Sequence, residues 1–107
     1  MGRTIISEDG KFEWDEDKDK KNRRLHKIAL EQAKPVFDDA DRLEVRDEIH
    51  STIEETRYQV LGLSGTDVLF VVDTERAFGE RIRIISVRYA TKYEKEQYDD
   101  SKYAKYR

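Results

Sequence analysis

The side chains with most chemistry to offer are arginines set in or beside apolar runs, Arg57, Arg76, Arg83 and Arg88, and two histidines, His26 and His50. A guanidinium stays charged and grips phosphate through a planar fork of N–H donors. An imidazole takes up and releases protons near neutral pH. The densest stretch is Arg81-Ile82-Arg83-Ile84-Ile85-Ser86-Val87-Arg88-Tyr89-Ala90-Thr91. Its isoleucines must be buried, while its arginines must reach water or an anion. The stretch reads first as a core strand and second as a phosphate site. In a regular strand Arg83 and Arg88 point to opposite faces. A bulge near Ile84-Ile85 is needed to bring them together. Arg88 ends the strand and is the leading phosphate contact, with an ion pair to Glu94 as its competing use. Arg76 falls in the turn region before that strand. Arg57 has Glu54 as a competing partner. His50-Ser51 reads more readily as a turn pair than as a site.

Other chemistries find less support. Asp15, Asp17 and Asp19 lack the glycine and closing glutamate of a calcium loop. Two histidines without a cysteine make a poor zinc site. There is no Gly-rich nucleotide loop and no Gly-x-Ser-x-Gly elbow. No metal and no cofactor is therefore expected. Without cysteine, disulfides and thiolate chemistry are excluded.

The elements that must position these groups belong to a chain of 107 residues, enough for one domain with a modest core. Charged residues make up 42% and apolar ones 36%, a balance close to that of disordered chains. The charges are mixed in sign, however, with a net of only −3, and the apolar residues gather in runs such as 58–63 and 68–72. A folded domain with a densely charged surface is expected. An acidic pI of about 5.5 argues against a general nucleic-acid binder, so any such contact needs a local basic patch. No apolar run approaches the roughly 20 residues of a membrane span, and residues 1–10 lack a signal-peptide core. A cytoplasmic protein with no membrane partner is expected.

Asp9-Gly10 between apolar stretches signals a hairpin, with a strand at 11–14 and a short partner at 3–6. Asp15 suits a helix N-cap, and 16–25 reads as an exposed helix. A second short helix is expected over 29–37, with Pro35 either splitting it or starting it. Strands follow at 42–46, 56–63, 68–72 and 81–88, and a final helix at 92–106. The continuous apolar run 68–72 suggests a central strand covered on both faces. Phe12 and Trp14 read as core residues. The final helix mixes Lys92, Tyr93, Lys95, Tyr98, Lys102, Tyr103, Lys105 and Tyr106. It reads first as a helix packing tyrosines on the sheet and second as a single-stranded RNA surface. The expected fold is α+β, an antiparallel sheet with N-terminal helices and a C-terminal helix in the order β-α-α-β-β-β-β-α.

The ordered set Phe12-Glu13-Trp14-Asp15, Lys18, Asn22, His26, Val36-Phe37-Asp38-Asp39, Asp47, His50-Ser51, Glu54, Arg57, Leu61-Gly62, Val71-Val72, Thr74-Glu75-Arg76, Arg83-Ile84-Ile85-Ser86, Arg88, Ala90-Thr91, Glu94 and Tyr98 resembles the BrnT toxin family. The resemblance spans 12–100 of a single domain over 1–107. It leaves 1–10 as either an extension or an added hairpin strand, and 101–107 as a tail. It implies a RelE-like fold and a metal-independent endoribonuclease, the toxin of a type II toxin–antitoxin pair. It implies a small DNA-binding, BrnA-like antitoxin as partner, RNA as substrate, and DNA only indirectly through the antitoxin. RNA cleavage without metal needs a base for the 2′-hydroxyl, cations for the crowded phosphorane and an acid for the leaving oxygen. On this resemblance His26, Arg76 and Arg88 are the catalytic candidates, and Arg57, Arg83 and Lys27 the RNA phosphate contacts. Two departures stand out. The family's Asn-x-x-Lys-His-Gly becomes Asn22 to Lys27 with Leu25 for the lysine and Lys27 for the glycine. Asp73 replaces an aromatic residue before Thr74-Glu75-Arg76, where a carboxylate is expected to weaken a nearby phosphate site. These departures support an alternative: a degenerate relative that binds antitoxin or RNA without cutting. An antitoxin laid over a basic cleft would bring acidic groups of its own.

Overall fold

A computed structural model of the chain describes residues 2–105. Tyr106, counted above in the final helix, lies outside the described residues. Strands β1 (Thr4–Ile6) and β2 (Phe12–Asp15) precede helix α1 (Glu16–His26). A 3-10 segment, Leu30–Asp38, leads to β3 (Leu43–Arg46), β4 (Arg57–Ser64) and β5 (Asp67–Arg76). A short 3-10 turn, Ala77–Gly79, precedes β6 (Arg81–Tyr89), and α2 (Lys92–Lys105) follows. The six strands form one sheet in the order β1-β2-β6-β5-β4-β3.

Two expectations are corrected here. The molecule is α+β, but its strands come first, and the second expected helix is a 3-10 segment with Pro35 inside it. The sheet is mixed rather than antiparallel, because β2 runs parallel to β6, with Phe12 opposite Ile82 and Glu13 opposite Arg83. Short turns enforce antiparallel neighbours, and β4, β5 and β6 obey that rule. The β2–β6 pair joins segments about 70 residues apart in sequence, where no turn dictates direction. Only the packed sheet decides it.

Core residues lie on both faces. On the side of the 3-10 segment, Phe12, Trp14, Leu30, Val36, Val60, Leu69, Val71, Ile84 and Val87 form the larger cluster. On the α2 side, Leu61, Val68, Ala90 and Tyr98 form a smaller one, with Leu43 and Phe70 against it. The apolar run of β5 feeds both: Leu69 and Val71 point one way, Val68 and Phe70 the other. Tyr98 anchors α2 through a 2.5 Å hydrogen bond from its hydroxyl to the Asp39 carboxylate. Burial, reinforced by Asp39, pushes that phenol's pKa upward.

Helix α1 has almost no apolar face to bury. Leu25 is exposed, and Asn22 is the helix's buried residue. Its attachment is polar instead. The Asp15 carboxylate caps the first turn, accepting from the N–H groups of Asp17 and Lys18. The Asn22 amide donates to the carbonyls of Ile28 and Val87 at 2.9 and 2.8 Å, and its oxygen accepts the Val87 N–H at 3.2 Å. At Val87 the free edge of β6 has no strand beside it, so the Asn22 side chain takes a strand's place. The helix ends at Lys27, which holds a left-handed conformation (φ 62°) at the position where the family writes glycine. Replacing Asn22 by alanine removes the side-chain partner of the Val87 N–H, the Val87 carbonyl and the Ile28 carbonyl. We expect a loss of about 2–4 kcal/mol of stability, read as a lowered urea midpoint with unchanged slope.

Candidate RNA-binding face

Strand β6 carries a bulge. The register with β5 passes from Val72 opposite Ser86 to Asp73 opposite Ile84, leaving Ile85 as the extra residue. Ile84 and Val87, three positions apart, therefore both enter the core on the 3-10 side. Arg81, Arg83, Ser86 and Arg88 consequently share the α2 side. The parity conflict seen in the sequence disappears, and all three arginines face one way.

The cross-strand rows extend this face. Arg57 of β4 lies beside Thr74 of β5, which lies beside Arg83, which lies beside Glu13 of β2. Arg76 sits opposite Arg81. Gln59, Val72 and Ser86 make the next row, and Leu61, Phe70 and Arg88 the one after that. Helix α2 covers the last row, through Leu61 and Tyr98. Five arginines thus occupy one sheet surface of an acidic chain.

Each guanidinium has a carboxylate mate. Glu55 serves both Arg57 and Arg76, at 2.8 and 2.9 Å. The Arg57 guanidinium holds the Glu55 carboxyl below the usual carboxylate range, against partial burial and with help from Arg76. Buried Glu13 pairs with Arg83 and, at 3.4 Å, with Arg81. Arg88 forms a two-pronged pair with Glu94, at 2.7 and 3.0 Å, and its guanidinium carbon stands 4.1 Å from the centre of the Phe70 ring. That pair holds Glu94 below the usual range as well. Three carboxylates thus face five guanidiniums, so these named groups carry two positive charges in excess.

A family model described as "Ribonuclease toxin, BrnT, of type II toxin-antitoxin system" matches residues 14–94. The chain belongs to the BrnT toxin family. No curated protein matches it. The family is one of ribonuclease toxins, and a type II system supplies a cognate antitoxin. No helix among the described residues of this BrnT toxin is long and apolar enough to cross a membrane.

The structure gathers four of the six sequence candidates, Arg57, Arg76, Arg83 and Arg88, on one face. The other two belong to α1 and its cap. His26 lines a cleft with Lys18, Lys21, Leu25, Ile85 and Ser86 along the β6 edge; none of the five arginines lines it, but Ser86 is common to it and the arginine face. Lys27 caps α1, its ammonium donating to the Arg24 carbonyl at 3.1 Å. Arg57 pairs with Glu55 rather than Glu54. Asp73 shares the 3-10 side with Ile84, so its carboxylate points away from the arginines. Glu94 was named from sequence as the competing partner of Arg88, and the pair is present; Arg81 and the partners Glu13 and Glu55 were not singled out. The bulge parity, applied to Arg81 as to Arg83, would have found the former.

Proposed function

We propose that the arginine face binds and cuts RNA without metal, that this activity arrests growth, and that a DNA-binding, BrnA-like antitoxin neutralises it. The observation that carries this reading is the convergence of five arginines on one sheet face of a chain with net charge −3. The proposed phosphodiester site lies between Arg57 and Arg83, whose strand positions flank buried Thr74. There two guanidiniums meet the charge that develops on the phosphorane oxygens. Each guanidinium leaves its carboxylate with a second arginine when it turns to phosphate. The neighbouring cleft, lined by Gln59, Phe70, Glu94 and Gln97, can take a base. The alternative of a relative that binds without cutting loses one of its two supports, since Asp73 faces away from this site.

The test is direct. Purified protein incubated with single-stranded RNA and excess EDTA is expected to cleave it, and induced expression is expected to stop growth. RNA that is bound but stays intact would establish the binding-only reading. RNA that is neither bound nor cut would overturn both.

A further inference from the structure

The loop 47–56 holds a histidine–aspartate pair that belongs to the same face. Asp47 stands one residue beyond β3, and its N–H donates to the Arg57 carbonyl at 2.8 Å. It therefore continues the β3–β4 ladder into the row of Arg57, Thr74 and Arg83. By alternation it shares the α2 side with Leu43 and Val45, and its carboxyl also bonds the Gln59 side chain on that side. The carboxyl is buried, and one oxygen meets His50 Nδ1 at 2.9 Å. The other oxygen accepts the His50 N–H at 3.2 Å. Burial opposes ionisation of Asp47, but these bonds outweigh it and hold its pKa below the usual range. An ionised carboxylate can only accept, so Nδ1 carries a proton, and in the neutral ring it is Nε2 that presents the lone pair. The His50 side chain is 63% exposed, so Nε2 has access to substrate. Ser51 is not a third partner: its hydroxyl donates to the Asp47 carbonyl and accepts the Arg57 N–H, fixing the loop to β4.

We infer that His50 is the general base of the RNase site and Asp47 its positioning residue; this rests on the ribonuclease reading above. Asp47 lies one strand spacing, about 5 Å, from Arg57. His50 Nε2 takes the proton of the 2′-hydroxyl while O2′ bonds to the phosphorus held by Arg57 and Arg83. The bond from phosphorus to O5′ breaks, and O5′ leaves with a proton drawn from water. His26, the catalytic histidine that the resemblance implies, lines the cleft beside α1.

The experiment is single-turnover RNA cleavage by the full chain, as wild type, His50→Ala and Asp47→Asn, with and without added imidazole. His50→Ala is expected to lose at least a hundredfold in rate with unchanged RNA affinity. Imidazole, which can enter the exposed position, is expected to restore a measurable part. Asp47→Asn is expected to lose ten- to a hundredfold in rate, again at unchanged affinity. A wild type that leaves RNA intact brings down the ribonuclease reading and this inference together. With an active wild type, His50→Ala at full rate overturns the inference alone, as does a loss that imidazole does not recover.

Discussion

Replacing Arg57 and Arg83 together by alanine is expected to lower RNA cleavage at least a thousandfold while leaving the fold intact. Removing one pre-positioned donor to a developing oxyanion costs about two to three powers of ten in rate, and this variant removes two guanidiniums flanking Thr74. The fold survives because neither substitution orphans a carboxylate. Glu55 keeps Arg76, and buried Glu13 keeps Arg81. Arg88→Ala is a less clean test, since it strips Glu94 of its arginine partner and α2 of its tie to β6. Binding should report the same loss electrostatically. Each neutralised phosphate of a single strand contributes about 0.7 to the slope of log affinity against log salt, and both arginines hold the same phosphate, so the double variant should be shallower by roughly 0.7. Arg57→Lys/Arg83→Lys should keep most of that slope and still lose rate, because an ammonium lacks the planar fork. A double alanine variant that cuts within tenfold of wild type would remove this row from the site.

The second large effect concerns stability against pH. Asp73 is 3% exposed, and its Oδ2 has no hydrogen-bond partner among the described residues. Burial, helped by the nearby charges of Glu44 and Glu75, pushes its carboxyl from 3.8 up to about 7. Between those values the folded chain holds a proton that the unfolded chain has released. The slope of stability with pH is set by protons bound in the unfolded state minus those in the native state. That difference is negative here, so this group's contribution falls as pH rises from about 4 and levels off above about 7. Three pH units at 1.36 kcal/mol each amount to roughly 4 kcal/mol. Asp73→Asn should remove the fall. Its melting temperature should exceed that of wild type at pH 8 by on the order of 10 °C, with the gap narrowing toward pH 4. The carboxylates held low by hydrogen bonds and arginines, such as Glu55 and Glu94, act in both proteins and cancel in the comparison. A gap that does not change with pH would mean that Asp73 is ionised in the fold.

Much of the local structure was legible in residue order. The Asp15 cap announces α1, the run 68–72 announces a strand between two layers, and Arg81–Arg88 declares itself by alternation. Direction was not legible for β2, because Phe12 and Glu13 meet Ile82 and Arg83 only after the chain has crossed the sheet. The need for a bulge was readable from Arg83 and Arg88. Its place near Ile84-Ile85 was readable too; that Ile85 and not Ile84 is the extra residue depends on the partner strand. The site divides in the same way. Four arginines could be picked out by their place in or beside strands. The Asp47–His50 pair could not, since two polar residues three apart in a loop look like any turn until their carboxyl and ring are seen to meet. His26 drew attention through its place in the family pattern, which says nothing about which cleft it lines.

The extra residue at Ile85 gives β6 two frames. Ahead of it, odd-numbered positions carry the arginines; behind it, even-numbered positions do. Deleting Ile85 would leave a regular strand with Arg81, Arg83, Ser86 and Arg88 on the face they hold now. Pairing Ile85 into the ladder with no bulge would instead turn Arg88 toward the interior and Val87 toward water in one step. A chain one residue shorter here keeps the arginine face without a bulge, whereas a chain of this length keeps it only by bulging.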